Sequence, residues 1–449
     1  LDSESSLVRR LVKRISSHKV FFGWWTVLAG GILALWGYGY QAYGISALFK
    51  PISSELGFSR TATSVAASIG RFEGGFEAPI VGWITDRFGP RWIVLGGVFF
   101  ISVALTLMYV VNSLWAYYLV WGVLLSFAVN TSLSIPIDAA ISNWFVRKRG
   151  TALSIKWAFS GLSGVVALPL ISWLIGVQGW RMTCVTGGVV MAVIGLPLAW
   201  FFLKQRRPEY YGMLPDGAKT PDDIAGVEQM IARGVQYAAE VHEVEFSLKQ
   251  VFRTRVYWVL IAVNGFNALI SPAISIHTIP FLTDLGIDPL VAAGMMVIMI
   301  GTSVPTRLVG GMVADRLNTG RLRFVLAGAY LLEFTGLGIF LLTRTVASIY
   351  VWYVLWGLGM GTAYVMNPVL RARYFGRKAY GSIQGFNSLI LMPVGVIAPI
   401  YAGWVYDTTG SYISAFTLFL GLLAAALVLV MFARPPKPPP VITDVGKIM

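Results

Sequence analysis

This chain has little of what builds catalytic or metal centres. Its 449 residues hold one cysteine, Cys184, and three histidines, His18, His242 and His277, with no metal-ligand spacing between them. A single thiol excludes a disulfide framework, and no nucleophile elbow, phosphate loop or zinc motif is present. An enzyme reading therefore has no residues to stand on, and neither a metal nor a cofactor is expected. Charge is scarce as well: 12% of the residues are Asp, Glu, Lys or Arg, where a soluble domain carries about 25%. With 56% of the residues hydrophobic, the solvent this sequence expects is lipid.

What fills the chain is apolar segments of membrane-crossing length. They predict twelve spans, at roughly 21–45, 61–83, 92–111, 114–142, 150–175, 181–203, 256–282, 289–313, 323–342, 346–370, 380–404 and 411–432. The net charge of +14 would suit nucleic acid if it were clustered, but its placement follows a membrane rule. Segments on one side of the alternating spans hold 28 of the 35 Lys and Arg residues. The other side holds four (Lys50, Arg60, Arg181, Arg344), and three lie inside spans. This asymmetry puts both termini in the cytoplasm and makes the cell (inner) membrane the expected location. Membrane lipid, anionic at the inner leaflet, is then a partner and nucleic acid is not. The basic N-terminus is not a cleavable signal, because the first span is too long for an h-region and no small-residue cleavage site follows it.

The most informative pattern occurs twice. Gly82-Trp83-Ile84-Thr85-Asp86-Arg87 and Gly311-Met312-Val313-Ala314-Asp315-Arg316 lie 229 residues apart, each at the end of an apolar segment. Asn143-Trp144-Phe145-Val146-Arg147-Lys148 matches Arg373-Tyr374-Phe375-Gly376-Arg377-Lys378 at an offset of 230, and Pro169 matches Pro399. A constant offset means two fused six-span halves related by an axis along the membrane normal, which is a transporter's construction. The boundaries read as a cytoplasmic N-terminus (1–20), an N-terminal half (21–203), a linker (204–255), a C-terminal half (256–433) and a tail (434–449). Within the linker, Asp222 to Phe246 is expected as an amphipathic helix along the membrane surface. The proline-rich tail cannot stay helical and is expected to be disordered.

Seven ionisable side chains fall inside spans: Arg71, Glu73, Glu77, Asp138, Lys156, Arg307 and Glu333. Each would cost roughly 2.5–3.5 kcal/mol in lipid, so each must be paired or face a water-filled cavity. Glu73 and Glu77 are four apart and share a helix face. Two carboxylates that close do not both ionise comfortably in a low dielectric, which makes them candidate proton carriers. The alternative is a packing pair neutralised by a base from a neighbouring helix. Arg71 lies about 200° round the helix from Glu73 and should face another partner. Asp138 and Lys156 sit at similar depth on consecutive antiparallel helices and are expected as a structural ion pair, with Lys156 as an anion attractor the other option. Arg307 stands about 12 Å along its helix from Asp315. A guanidinium there can grip a carboxylate with two parallel hydrogen bonds, or serve in a structural ion pair.

Neutral polar residues give a softer map. Asn130, Asn264, Asn267, Asn367, Gln384 and Asn387 lie within spans, where they either line a cavity or bond between helices. Asn267 and Asn387, with Tyr43 and Tyr364, are candidate substrate-binding residues beside Arg307, and Tyr38 is expected to shape the same pocket. His277, at the outer end of the seventh span, is a candidate gate or an ordinary mouth residue.

The paired six-span pattern with both Gly-x-x-x-Asp-Arg turns resembles the major facilitator superfamily over about residues 20–433. That resemblance implies an all-α membrane protein with twelve transmembrane helices in two six-helix halves. It also implies that Asp86, Arg87, Asp315 and Arg316 are gate residues, each aspartate facing the positive end of a helix from the other half. Such a contact is worth roughly 0.3–1 kcal/mol, enough to bias an equilibrium without freezing it. Glu333, in the peripheral ninth helix of that fold, is assigned no role.

Several stretches are similar to the monocarboxylate transporter group and its oxalate/formate-exchanging relatives. They are Gly23-Trp24-Trp25, Tyr43-Gly44 through Phe49-Lys50-Pro51 to Leu56-Gly57-Phe58-Ser59-Arg60, Arg207-Pro208-Glu209-Tyr210-Tyr211-Gly212-Met213-Leu214-Pro215-Asp216-Gly217, and Glu245-Phe246-Ser247-Leu248-Lys249. In that group an arginine at the place of Arg307 binds the substrate carboxylate. The group's acid one turn earlier is Ser303 here, and its first-helix lysine falls at Tyr43, so its proton route is not carried over. The expected activity is secondary transport of a small organic anion, a monocarboxylate moved with protons by alternating access, by a protein working as a monomer. The rivals are an oxalate/formate-type exchanger without proton coupling, an efflux pump for apolar compounds, and a non-transporting receptor.

Overall fold

In lipid every backbone amide must find its partner within the chain, and helices do this without help from their neighbours. The structure, a computed structural model, describes residues 20–58, 60–218, 226–240, 244–287 and 289–437. Among them twelve long helical segments follow one another, labelled α1 to α12. They are 22–56, Arg60–Phe88, Pro90–Val110, Leu114–Trp144, 149–178, 180–202, Arg255–Asp284, Pro289–Arg316, Leu322–Thr343, Val346–Phe375, Tyr380–Thr409 and Ile413–Met431. Eight continuous stretches among the described residues are long and apolar enough to cross a membrane. One of these, Arg149–Phe202, holds both α5 and α6. Gly179 joins them with φ of 77°, a backbone state that costs glycine nothing.

Two helices run past their expected ends. α1 continues beyond 45 through a π turn at Gly39–Gly44 and stops only at Gly57 (φ 68°). α10 continues beyond 370 to Phe375, which takes Arg371 and Arg373 out of the expected loop and into the helix. The linker helix is shorter than expected, Val227–Glu240. Residues 222–225 and 241–243 of the expected helix lie outside the described residues, as do 1–19 and 438–449 of the two ends. Arg434 to Lys437 are not helical.

The two halves meet where α2 packs on α11 and α5 on α8. The first glycine of each duplicated turn explains how closely. A methyl group at Gly82 would strike the Gly381 carbonyl, and one at Gly311 would strike Ser154 and the Gly150 carbonyl. The motif keeps glycine because two backbones cross there.

The linker is lashed to both halves at this same basic end. The Asp216 carboxylate accepts from the amides of Val146 (3.2 Å), Arg147 (2.8 Å) and Lys148 (2.9 Å). Tyr237, on the linker helix, donates its hydroxyl to the same carboxylate at 3.2 Å. Glu209 pairs with Arg377 at 3.3 Å, both buried, and the Phe246 amide donates to the Phe375 carbonyl at 2.9 Å.

Candidate functional site

A carboxylate is well placed at a helix start, where the first amides have no partner of their own. Both Asp-Arg turns use this. Asp86, at the end of α2, accepts from the amides of Gly381 (2.9 Å) and Ser382 (2.8 Å) at the start of α11. Asp315, at the end of α8, accepts from Gly150 and Thr151, both at 2.7 Å, at the start of α5. Each contact crosses from one half to the other. Asp315 also pairs with Arg373 at 3.2 Å, which in turn donates to the Arg147 carbonyl at 2.8 Å.

The neighbouring repeat interlocks in the same layer: Arg149 donates to the Ala372 carbonyl (2.8 Å) and Arg377 to the Asn143 carbonyl (3.0 Å). The arginines of the turns themselves stay outside this layer. Arg87 lies over the Trp83 and Phe88 rings, and Arg316 is exposed. The cation that reaches Asp315 is Arg373, which the expected span, ending at 370, places in a loop. The signal that α10 continues was the apolar Tyr374-Phe375 beyond it.

Above this layer lies a cavity of about 690 Å³ lined by α1, α2, α4, α7, α10 and α11. Of the residues expected at the pocket, Tyr38, Asn130, Tyr364 and Asn387 line it. Arg307, Tyr43 and Asn267 do not line it directly. Arg307 sits behind the wall, its guanidinium carbon 5.0 Å from the centre of the Tyr364 ring. It is 5% exposed, donates to the Trp157 carbonyl of α5 at 2.9 Å, and has no acceptor for its Nε among the described residues. No carboxylate pairs with it among the described residues. A buried cation without a counter-charge is costly, so the arrangement favours an anion that arrives at Arg307. Tyr43 packs its ring on Gly164 of α5 and, with Tyr364, is in electrostatic reach of Arg307.

Asn267 is turned away from the expected position. Its carboxamide donates to the Glu333 carboxyl of α9 at 3.2 Å. Asn267 shares a helix face with Ser271 and Ser275, which line the cavity.

Glu73 and Glu77 lie one residue, hence about 100°, round α2 from the lining row Gly70, Gly74 and Ala78. Glu77 is buried with the Asn130 carboxamide of α4 in reach of its carboxyl group, and one oxygen of the half-buried Glu73 is unbonded among the described residues. The side chain of Arg71 lies outside the described residues.

Asp138 and Lys156 form the expected ion pair at 3.0 Å, both fully buried, with the ammonium 3.8 Å above the Trp157 ring. Arg371 was missed with the rest of the α10 extension. It is buried and donates to the Asn387 side-chain carbonyl at 3.2 Å, which places a cation directly behind the cavity wall. His277 meets the Tyr412 hydroxyl at 3.2 Å and does not line the cavity.

Comparison with known proteins follows the same lines. The chain is 24% identical over 415 residues to the oxalate:formate antiporter of Oxalobacter formigenes, covering 86% of this chain and 87% of that one. It is 26% identical over 355 residues to monocarboxylate transporter 12 of Xenopus laevis, covering 76% and 73%. The human organic anion transporter MFSD10 (TETRAN) superposes with a TM-score of 0.65 at 14% identity, covering 90% of this chain and 98% of that one, a likeness of fold alone. A family profile described as Major Facilitator Superfamily matches residues 31–399. Paired halves, crossed Asp-Arg turns and that match agree: the chain is a multi-pass membrane transporter, not an enzyme, and belongs to the Major Facilitator Superfamily.

Proposed function

We propose that this transporter moves a small organic anion, a monocarboxylate, by alternating access, with Arg307 as the group that takes the substrate carboxylate. One observation carries the reading: a guanidinium buried at the junction of α5 and α8, without a carboxylate partner among the described residues, behind a tyrosine that lines the cavity. The names of the relatives, an oxalate:formate antiporter and a monocarboxylate transporter, support the same substrate class. Tyr364 and Asn387 would contact the substrate directly, and Tyr43 would flank the carboxylate once it reaches Arg307. Asn267 acts at one remove.

With the basic end in the cytoplasm, the layer around Asp86 and Asp315 is the cytoplasmic gate, here shut, and the halves 21–203 and 256–433 rock about it. The inner membrane is the matching location, and one chain suffices. Glu73 and Glu77 are the proton carriers of this reading, because they stand beside the lining row of α2 without cationic partners among the described residues.

Uptake of labelled lactate and oxalate into proteoliposomes tests it. Wild type should accumulate at least one of them, and Arg307→Gln, correctly folded, should not. Undiminished uptake by the variant would remove Arg307 from the site. Ser303 and Tyr43, standing where the group carries an acid and a lysine, favour a second reading as an anion exchanger. Uptake that ignores an imposed pH gradient would establish exchange over symport.

A further inference from the structure

The buried acid of α9 has surroundings that neither an ion pair nor packing explains. Glu333 is 0% exposed. Gly359 of α10 lies against it, where a methyl group would come within 2.7 Å of its Cγ. Its Oε2 accepts from the Asn267 carboxamide at 3.2 Å, and its Oε1 has no donor among the described residues. No cation pairs with it there. α7 presents Asn267, and Asn367 of α10 reaches Tyr330 beside it. α12, Ile413–Met431, carries no ionisable side chain. Tyr330, one turn earlier on α9, is in electrostatic reach of both Glu333 and Arg371. A fixed negative charge with one donor in such a place is expensive, and the smallest counter-charge that fits is a proton.

Asn267 does not end the chain of contacts. The Ser271 hydroxyl, one turn along α7, donates to the Asn267 side-chain carbonyl at 3.5 Å, and Ser271 lines the cavity. A carboxamide has one donating and one accepting end, and either can be presented to a neighbour. Facing an ionised Glu333, Asn267 offers its NH2 and leaves its carbonyl to Ser271, which is the orientation of the two contacts above. Facing a protonated Glu333, whose O–H must donate, it offers its carbonyl instead. Ser271 then loses its acceptor, and its hydroxyl is released toward the cavity.

We propose that Glu333 is a proton-binding carboxyl of the C-terminal half, and that Asn267 reports its state to the substrate cavity through Ser271. The step is a plain protonation: one proton from water joins the carboxylate and returns to water when it leaves, with no other bond made or broken. The inference rests on the symport reading and adds to it a second proton site, which the Glu73 and Glu77 pair does not contain. Glu333 would be a positioning residue, acting on the substrate only through Asn267 and Ser271.

The test is infrared difference spectroscopy of the purified protein, titrated across the neutral pH range, paired with gradient-driven uptake of labelled lactate and oxalate. Wild type should show the carbonyl stretch of a protonated carboxylic acid that disappears with Glu333→Gln, an isosteric change that keeps the Asn267 contact. Asn267→Ala leaves the acid in place and should move the midpoint of that band; Ser271→Ala should leave the midpoint unchanged. Glu333→Gln should still exchange lactate or oxalate at equal pH while losing accumulation driven by a proton gradient. A difference spectrum unchanged by Glu333→Gln, or a midpoint unmoved by Asn267→Ala, overturns the proposal. Wild-type uptake indifferent to the gradient overturns symport itself, whereas a gradient-driven Glu333→Gln overturns this inference alone.

Discussion

Asp86 and Asp315 stand 229 residues apart in equivalent turns, and each closes on the amides of the second and third residues of a helix from the other half. In the same register ahead of them, the halves part company. The position of Arg307 in one half is held in the other by Ala78, which lines the cavity. What is repeated holds the halves together at one end; what differs is placed where a substrate would bind. Even the repeated part is wired unequally, since among the described residues Asp315 pairs with an arginine, Arg373, and Asp86 does not.

The largest expected effect comes from erasing the asymmetry at the cavity. Arg307→Gln should cost roughly 2–5 kcal/mol of carboxylate affinity, about 30-fold or more, because the anion would lose its buried partner. Next is the pair that exists only in the N-terminal half. Asp138→Asn leaves Lys156 buried and uncompensated and should destabilise the protein by about 3–5 kcal/mol. Asp138→Leu combined with Lys156→Met should recover most of that, both read from thermal unfolding in micelles. A double variant as unstable as the single one would mean that the pair holds more than itself.

The gate should respond more weakly and unequally. Asp315→Asn forfeits two charge-assisted amide bonds and the Arg373 contact, against two amide bonds for Asp86→Asn, with hydrogen bonds to charge worth about 1.5–3 kcal/mol each before compensation. Spin labels at Lys148→Cys and Lys378→Cys, both exposed in wild type, should report a larger open fraction for Asp315→Asn than for Asp86→Asn. The native Cys184 is buried and should stay unlabelled. Equal shifts would remove Arg373 from the account. The smallest effect belongs to Arg87→Gln and Arg316→Gln, whose side chains lie outside the gate layer. Stability should stay within about 0.5 kcal/mol of wild type.

Much of this was legible in the sequence, for reasons that also mark where legibility stops. Apolar runs located the helices because lipid demands length and apolarity. The offset repeat located the close crossing of the halves because a side chain at Gly82 or Gly311 would strike the facing helix. Depth alone predicted the Asp138 and Lys156 pair. The facing of α7 is legible in a stripe of neutral polar residues, Asn264, Asn267, Ser271 and Ser275, of which Ser271 and Ser275 line the cavity; what the stripe does not show is that Asn267 also reaches Glu333 of α9. Arg371 and Arg373 were hidden by a different effect. A basic residue after an apolar run reads as the membrane edge, yet α10 continues because the fold buries those arginines against Asn387 and Asp315.

The central claim is that the unpaired guanidinium of Arg307 is the substrate's anchor. Calorimetric titration of the purified protein with lactate and oxalate and with their uncharged amides, on wild type and Arg307→Gln, tests it most directly. The account predicts binding of at least one acid, none of its amide, and loss of the acid's binding in the variant. An acid that binds both proteins alike, or an amide that binds as tightly as its acid, would contradict it.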